Sequence, residues 1–327
     1  MPVSLPVRSR RPLVIPLLGA GLLLSGCAVW PAQDTGPAGA VKGRITLGFV
    51  NGGTTEFHTC LQESVERTAG RNGAHLLTAN SRQDGATEVA NIEDMIARKV
   101  DALIVQTVDV DALKGDIAAA RTADVPIFLT SVAPADTSAL LGAVVVDLKE
   151  VGRLDAEWIE RDAAGGEVEV GVIAGAPGAA SDVLTGAFTR GLPDNARVVA
   201  SRPGMYDPAK ARTAAAAMIK ARPDLDYAFV ANEEMAFAAR KAFDAAGGED
   251  VKIVTVNGTD EALAALKRGS LAATVSNSAA DTGELAVRNA VSLLRKDGRA
   301  ERIEKTPVRL VTKENADTAP LYCPSQD

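Results

Sequence analysis

The chain has 327 residues, of which 46% are hydrophobic and only 4% are aromatic, so a sizeable core must consist mainly of aliphatic side chains. Its formal net charge of −7 argues against a nucleic-acid partner, which would need a basic face. Downstream of the N-terminal segment, no stretch approaches the roughly 20 consecutive apolar residues that a membrane-spanning helix needs.

The N-terminal segment has the layout of a secretory signal. Arginines between positions 8 and 11 precede an apolar run from Leu13 to Leu24. The sequence Leu24-Ser25-Gly26-Cys27 resembles the lipobox of bacterial lipoproteins, in which the cysteine is lipidated and becomes the mature N-terminus. This resemblance implies that residues 1–26 are a lipoprotein signal peptide and that Cys27 anchors an exported protein to the outer face of the cell membrane. An ordinary signal peptide with a chance cysteine is the alternative.

Residues 27–43 hold several prolines and glycines and are predicted to form a flexible tether. Beyond them, short apolar runs predict buried strands, and segments with apolar residues every three or four positions predict helices. The first series of predicted strands is Ile45–Val50, His75–Ala79, Ala102–Gln106 and Pro126–Thr130. The helices predicted between them are Phe57–Ala69, Thr87–Arg98 and Ala112–Thr122.

A second series of the same kind begins near Leu141. Its predicted strands are Leu141–Val146, Val168–Ile173, Val198–Arg202, Tyr227–Val230, Lys252–Val256 and Ala272–Ser276. Its predicted helices are Val151–Arg161, Asp182–Leu192, Ala209–Lys220, Glu234–Ala246, Glu261–Arg268 and Asp281–Lys296. One six-stranded sheet cannot hold so many strands, so we predict two α/β lobes, each a parallel sheet with helices on both faces. Ligands of such sheets bind at the carboxyl ends of the strands.

Five stretches along the chain resemble motifs of the ribose-type substrate-binding proteins, the sugar-binding group of periplasmic binding proteins. They are Asp84–Met95, Gln106–Ala112, Ala231–Ala236, Val256–Thr259 and Gly269–Val275. The third is similar to the family's Asn-Asp-Glu-Met-Ala, the fourth to its Phe-Asp-Gly-Thr and the fifth to its Gly-Lys-Leu-Ala-Ala-Thr-Ile. The resemblance extends from about Ile45 to Lys313. It implies a type I periplasmic binding protein: two doubly wound parallel-sheet lobes joined by three crossovers, with the ligand in the cleft.

The resemblance also implies where the lobes begin and end. The crossovers are expected near Val146-Asp147, near Asn277 and near Pro307. The N-terminal lobe is then expected at residues 44–146 plus 278–306, and the C-terminal lobe at residues 147–277 plus 307–313. Residues 314–327 are left as a C-terminal tail. Closure of the two lobes around a ligand is the expected motion.

The resemblance assigns eight residues to the ligand cleft, and most of them have a structural alternative. The eight are Phe57, His58, Ser131, Ser181, Tyr206, Asn232, Asn257 and Asn277. Phe57 could instead be a core residue of the first helical turn, and Tyr206 a loop residue packed on the surface. Asn232 could cap the following helix, and both roles can hold together. Asn257 could be a turn residue before Gly258, and Asn277 a cap at the hinge.

Ser131 and Ser181 mark departures from the family. The family's Asp-Arg pair falls on Ser131-Val132, and its next arginine falls near Ser181, so both guanidiniums and one carboxylate are missing. A shift of the alignment by one or two residues would place Asp182 in the cleft instead. The resulting cleft is polar, rich in amides and almost uncharged. It suits a small neutral sugar or polyol and not a dicarboxylate or phosphate, whose charge would find no partner.

These residues favour a transport receptor that delivers a neutral sugar-like ligand to an ABC permease. The alternative is a sensory lipoprotein that presents a small signal to a membrane kinase or chemoreceptor. An enzyme is not expected, because the chain has two histidines and no Gly-x-Ser-x-Gly or Ser-His-Asp spacing. No cofactor and no metal are expected, since Asp109 and Asp111 are explained as helix caps. A monomer is expected.

Two cysteines remain once Cys27 is assigned to lipid. In an exported protein such cysteines often pair, so Cys60 and Cys323 are a candidate disulfide. Two unrelated thiols remain the alternative, because a bridge requires that the two residues lie close in space.

Overall fold

The computed structural model describes residues 41, 43–110 and 112–323. The predicted signal peptide, Cys27 and nearly all of the predicted tether lie outside these residues, as does Asp111. Within them, no helix is both long enough and apolar enough to cross a membrane.

The described residues form strands and helices in regular alternation. The strands are β1 (Thr46–Asn51), β2 (His75–Asn80), β3 (Ala102–Val105), β4 (Ile127–Ser131), β5 (Gly142–Val146), β6 (Val168–Ala174), β7 (Ala196–Pro203), β8 (Tyr227–Val230), β9 (Lys252–Asn257), β10 (Ala273–Asn277), β11 (Ile303–Thr306) and β12 (Val308–Val311). The helices are α1 (Glu56–Arg71), α2 (Gly85–Ala97), α3 (Lys114–Thr122), α4 (Leu148–Ala163), α5 (Ala179–Gly191), α6 (Pro208–Ala221), α7 (Glu233–Asp244), α8 (Asp260–Arg268) and α9 (Ala279–Arg295), with a short 3-10 turn at Ala316–Thr318.

The strands form two six-stranded sheets. The first sheet has the order β11-β5-β4-β3-β1-β2, and all its neighbours are parallel. The second has the order β12-β10-β9-β8-β6-β7 and is parallel except for β12, which runs antiparallel to β10. The chain passes between the sheets after β5, after β10 and between β11 and β12. The predicted fold class, two doubly wound lobes joined by three crossovers, is confirmed.

Burial on both faces explains why the central strands are continuous apolar runs. All four residues of β3 (Ala-Leu-Ile-Val) and of β8 (Tyr-Ala-Phe-Val) are buried. The first sheet has one apolar cluster against α1 and α9 and another that includes residues of α2 and α3. A single larger cluster surrounds the second sheet.

Side-chain caps begin several of the helices at the carboxyl edges of the sheets. Asp84, Asp147, Asn232, Thr259 and Ser278 each accept a hydrogen bond from a backbone N–H in the first turn of the following helix. These caps turn the chain sharply from strand to helix. They therefore hold the connecting loops at the edge where the sheets face each other.

The C-terminal segment returns from the second sheet to the first. Tyr322 is 2% exposed and packs in the apolar cluster around α1, together with Leu61. Cys323 is joined to Cys60 of α1 by a disulfide bond. The candidate disulfide is thus present in the structure, and the alternative of two unrelated thiols is wrong.

Candidate functional site

A cavity of about 190 Å³ is lined by residues at the carboxyl edges of both sheets. All eight residues assigned to the cleft from the sequence line this cavity. The structure therefore brings together residues up to 220 positions apart in the chain, from Phe57 to Asn277. Their contact with a ligand stays a prediction.

The cavity residues lie at the ends of strands, in the loops after them or in the first turns of the helices that follow. From the first sheet, His58 lies in the first turn of α1 after β1, Gln106 follows β3, and Ser131 is the last residue of β4. From the second sheet, Asn232 follows β8, and Asn257 and Asn277 are the last residues of β9 and β10. This is the edge at which parallel α/β sheets bind ligands.

His58 is held in one wall of the cavity by two hydrogen bonds. The Thr55 hydroxyl donates to Nδ1 at 2.8 Å, and Nε2 donates to the Gln106 Oε1 at 3.1 Å. The same Gln106 oxygen accepts from the backbone N–H of Gly52 at 3.1 Å, which fixes the orientation of the amide. Burial lowers the pKa of His58 to about 4. The imidazole is therefore neutral at physiological pH and adds no charge to the cavity.

Gly52 permits the close approach on which this network depends. A Cβ atom at this position would collide with both the side-chain and the backbone oxygen of Gln106. A side chain at position 52 would push the β1–α1 loop away from β3 and would break the bond between the Gly52 N–H and Gln106.

Asn232 both caps a helix and lies in the cavity wall. Its Oδ1 accepts from the backbone N–H of Met235 at 3.0 Å, so it caps α7. It also lines the cavity and is 5% exposed. Phe57 likewise combines two roles, because it packs against the apolar cluster of α1 and lines the cavity.

Tyr206 lies in the cavity wall and not on the outer surface. A Cβ atom at Gly175 would collide with its ring, so the two segments are in close contact. Burial raises the pKa of its hydroxyl to about 12, and the nearby Ser181 hydroxyl acts in the opposite direction. Asp182, the alternative from a shifted alignment, is exposed and is not part of the cavity wall.

Two cavity residues carry buried polar atoms that have no hydrogen-bond partner among the described residues. They are the Ser131 Oγ and the Asn277 Oδ1. Ser131 also has a φ of 68°, a left-handed conformation that costs a residue with a side chain about 1–2 kcal/mol. Buried polar atoms are normally paired. The Asn277 Oδ1 therefore has an acceptor position, and the Ser131 hydroxyl a donor and an acceptor position, that no described residue fills.

Two buried glutamates hold the cavity loops in place. Glu88 of α2 accepts from the Thr107 hydroxyl at 2.6 Å and from the backbone N–H of Val108 at 2.7 Å. Glu233 of α7 accepts from the backbone N–H groups of Gly258 and Thr259, directly after Asn257. The sequence explained Glu233 only by the helix N-terminus and missed these bonds. Burial raises the pKa of both carboxyls, that of Glu233 to about 7.

Several cavity residues were not predicted from the sequence. Gln106 could have been predicted, because it ends a predicted strand and begins a loop that resembles the corresponding loop of the family. Leu148 and Leu184 lie in helices and look like ordinary core residues in the sequence. Thr55 precedes α1 and takes part only through its bond to His58.

The cavity wall is free of formal charge. None of the described residues that line it is an aspartate, glutamate, lysine or arginine. Asp109 accepts from the backbone N–H of Ala112 at 3.4 Å, close to the start of α3. In the described ranges, no three His, Cys, Asp or Glu side chains are grouped in a way that could hold a metal ion.

Two doubly wound lobes, with an uncharged cavity lined by polar and apolar side chains at their facing edges, define a solute-binding protein of the two-lobed α/β class. The chain belongs to the periplasmic binding protein family, since the model described as "Periplasmic binding protein domain" matches residues 47–299.

Known proteins similar to this chain are binding proteins and not enzymes. The ribose import binding protein RbsB of Bacillus subtilis is 26% identical over 298 residues, covering 89% of this chain and 95% of that protein. A xylitol-binding protein of Mycolicibacterium smegmatis is 26% identical over 314 residues, covering 91% of this chain and 84% of that protein. The arabinose-binding component of an ABC transporter from Shewanella sp. ANA-3, solved with L-arabinofuranose, has a TM-score of 0.78 and 26% identity and covers 84% and 93% of the two chains.

Proposed function

We propose that this chain binds a small neutral sugar or polyol in the cavity between its two lobes and delivers it to an ABC permease. The main support is the uncharged cavity wall with buried polar atoms at Ser131 and Asn277 that lack a partner in the described protein. A neutral hydroxyl can pair with such atoms at no cost of charge burial, whereas a phosphate or carboxylate would lose its hydration without gaining a cation. The similar proteins named for ribose, xylitol and arabinose agree with this ligand class.

The hydrogen-bonding groups that face the cavity support the same ligand class. The Gln106 oxygen is occupied by two donors, so its amide nitrogen is the group left for a ligand. Asn232 uses its oxygen for the cap of α7 and one N–H for Glu234, so it offers its second N–H. Asn257 and Ser131 supply groups that can both donate and accept. Phe57 and Tyr206 provide ring faces for the C–H groups of a sugar.

The proposed function also concerns where the protein is located, how it is anchored and how its lobes move. We propose that the protein is exported, that lipidated Cys27 anchors it to the outer face of the cell membrane, and that it acts as a monomer. Residues 44–146 with 278–306 and residues 147–277 with 307–313 would then move as the two lobes. Replacing Cys27 with alanine should move the protein from the membrane fraction to the soluble fraction, and retention in the membrane would contradict the lipid anchor.

A thermal-shift screen of the purified chain tests the ligand class. The panel contains ribose, arabinose, xylitol and myo-inositol, with a dicarboxylate and a sugar phosphate as charged comparisons. A ligand at a hundred times its Kd stabilises the folded state by about 2.7 kcal/mol, which should raise the Tm by several degrees. The proposal fails if only the charged compounds shift the Tm.

Variants of Asn232 separate binding from folding. Asn232→Ala removes both the cap and the amide, whereas Asn232→Ser keeps a capping oxygen and removes only the amide. We expect both variants to lose the ligand-induced shift and only Asn232→Ala to lose about 1 kcal/mol of unfolding free energy. An undiminished shift in both would show that Asn232 does not contact the ligand. For delivery to a permease, cells that lack this protein should lose uptake of the ligand identified in the screen.

A further inference from the structure

The carboxyl edge of the second sheet is chemically divided into two sides. Three amides lie at the ends of adjacent strands on one side: Asn277 ends β10, Asn257 ends β9 and Asn232 follows β8. The next strand across the sheet is β6, and Ala176 and Pro177 follow it in the cavity wall. The cavity therefore has an amide side and, next to it, a side that begins with apolar side chains.

Helices α4 and α5 extend this second side. Leu184 and Ala180 of α5 line the cavity, as does Leu148 at the start of α4. Gly152 lies directly against the backbone of Leu184 and Phe188, so Leu148, one turn earlier in α4, is level with the first turns of α5. From the first sheet, Val108 also lines the cavity, and a Cβ atom at Gly178 would lie 3.5 Å from its carbonyl oxygen. We refer to Val108, Leu148, Ala176, Pro177, Ala180 and Leu184 as the apolar side.

Three hydroxyls border the apolar side, those of Thr107, Ser181 and Tyr206. The Thr107 hydroxyl donates to Glu88 at 2.6 Å. The Ser181 and Tyr206 hydroxyls lie at the border, where they can bond to neighbouring hydroxyls of a ligand. Backbone N–H groups at the start of α5 can donate to a ring oxygen, because α5 has no side-chain cap. The side chains of the apolar side itself offer no acceptor for the hydrogen of a ligand hydroxyl.

We propose that the ligand lacks a hydroxyl on one edge, as a deoxy sugar or deoxy-cyclitol does, and that this edge lies against the apolar side. Its remaining hydroxyls then meet the three asparagines. A hydroxyl placed against the apolar side would give up its hydrogen bonds to water without replacement. A methyl or methylene group there would instead gain from leaving water. This inference rests on the proposed function, because it concerns the ligand of the same cavity.

Matched pairs of sugars that differ by one hydroxyl test the inference. The pairs are D-galactose with D-fucose, D-glucose with 6-deoxy-D-glucose, and D-ribose with 5-deoxy-D-ribose, each titrated calorimetrically into the purified chain. We expect the deoxy member of at least one pair to bind about tenfold more tightly than its parent, the size of effect that one group has in an apolar pocket. If the parent binds as tightly or more tightly in every pair that shows binding, the inference is wrong and the proposed function stands. If no member of any pair binds and the wider screen also finds no neutral ligand, both are wrong.

Variants of the apolar side provide the second measurement. Leu148→Asn adds an acceptor and a donor to this side and should reduce the preference for the deoxy member to threefold or less. Leu148→Met keeps the side apolar and should leave the preference unchanged. Ala180→Ser, a smaller change on α5, should also reduce the preference. The preference is a ratio within one variant, so a change in stability does not affect it. A preference unchanged in both polar variants would overturn the assignment of the deoxy edge to the apolar side.

Discussion

The backbone N–H of Glu56 donates to Oε1 of Glu234 at 3.0 Å, and this bond joins the start of α1 to the start of α7. The other carboxylate oxygen of Glu234 lies 3.4 Å from Nδ2 of Asn232, which lines the cavity. Phe57 and His58 follow Glu56 directly and line the opposite wall. Glu234 thus connects the two walls beside the cavity without being part of either.

We expect this bond to contribute to the closed arrangement of the two lobes. Burial raises the pKa of Glu56, and the nearby Glu234 carboxylate adds to the effect by repulsion. Glu234→Gln keeps the acceptor and removes the repulsion, whereas Glu234→Ala removes both. A hydrogen bond of this kind contributes about 1 kcal/mol, so Glu234→Ala should weaken binding of a stabilising sugar about fivefold. Glu234→Gln should bind at least as tightly as the natural protein in the same calorimetric titration. Equal losses in the two variants would exclude the hydrogen bond as the cause.

We expect Ser131 to lower the stability of the folded protein and to strengthen ligand binding. Its left-handed φ of 68° is strained, and its buried Oγ has no partner in the described protein. Ser131→Gly should therefore raise the free energy of unfolding by about 1 kcal/mol, since glycine adopts this conformation freely. Ser131→Ala keeps the strain and removes only the hydroxyl, so it should give no such gain. Both variants should bind the stabilising sugar several-fold more weakly, as measured by urea unfolding and calorimetry. Undiminished binding in both would show that the hydroxyl is not a ligand contact.

The alternation of strands and helices could be predicted from the sequence because burial on both faces makes a central strand a continuous apolar run. Tyr227–Val230 was predicted with the bounds that β8 has in the structure. The strands β11 and β12 were not predicted. Each has four residues and lies at the edge of its sheet, where charged side chains such as Lys305 and Arg309 are tolerated. After β11 the chain crosses at Pro307 into the second sheet and enters it from the carboxyl edge, so β12 runs antiparallel to β10. Local periodicity does not show such a crossover.

Only the cavity residues at or directly after the end of a strand could be predicted from the sequence. Ser131, Asn232, Asn257 and Asn277 all stand at or next to a strand end, where the fold places ligand groups. Leu184 could not be found in this way, since an amphipathic helix gives the same pattern whether its apolar face meets a core or a cavity. The bonds of Glu233 to the loop after β9 depend on the tertiary arrangement of loops from separate strands. Sequence spacing carries no signal for them.

The Cys60–Cys323 disulfide should stabilise the protein substantially. It joins residues separated by 263 positions, and it fixes the segment after β12 to α1 on the first sheet. Near it, the Tyr322 carbonyl accepts from the backbone N–H of Ala280, and the Leu321 carbonyl accepts from the Ser278 hydroxyl. Disulfides that close long loops typically contribute about 2–4 kcal/mol.

The double variant Cys60→Ser/Cys323→Ser avoids a free thiol and isolates this contribution. We expect it to lose about 2–4 kcal/mol of unfolding free energy in urea without reductant. The unaltered protein in dithiothreitol should approach the variant, whereas the variant itself should not respond to the reductant. Identical stability of the two proteins under non-reducing conditions would mean that the bond contributes nothing to folding.

Asp155 should make the protein less stable at alkaline pH. It is 0% exposed in α4, and neither carboxylate oxygen has a hydrogen-bond partner among the described residues. Burial, followed by repulsion from Glu233, raises the pKa of Asp155 well above its usual value. Burial likewise raises the pKa of Glu233 to about 7. The folded protein therefore holds protons that the unfolded chain has already released at neutral pH.

The sign of the pH dependence follows from these raised values. Proton binding by the two carboxyls stabilises the folded protein fully at pH values below the pKa that they have in the unfolded chain. This stabilisation is lost as the pH rises through their pKa in the folded protein, near 7 for Glu233. Below about pH 6.5, the lowered pKa of His58 acts in the opposite direction, because only the unfolded chain binds that proton. The clearest window is thus pH 6.5 to 8, where lowering the pH should raise the free energy of unfolding by about 1 kcal/mol.

Asp155→Asn tests the assignment in that window. Because it removes a buried ionisable group that lacks a partner, we expect it to raise the free energy of unfolding at pH 8 by about 1–3 kcal/mol. It should also flatten the dependence between pH 6.5 and 8, as measured by urea unfolding at each pH. Glu160→Gln, an exposed carboxyl on the same helix, is the matched control and should change stability by less than about 0.5 kcal/mol. A less stable Asp155→Asn protein at pH 8 would mean that the Asp155 carboxylate is stabilised in the folded state, contrary to its raised pKa.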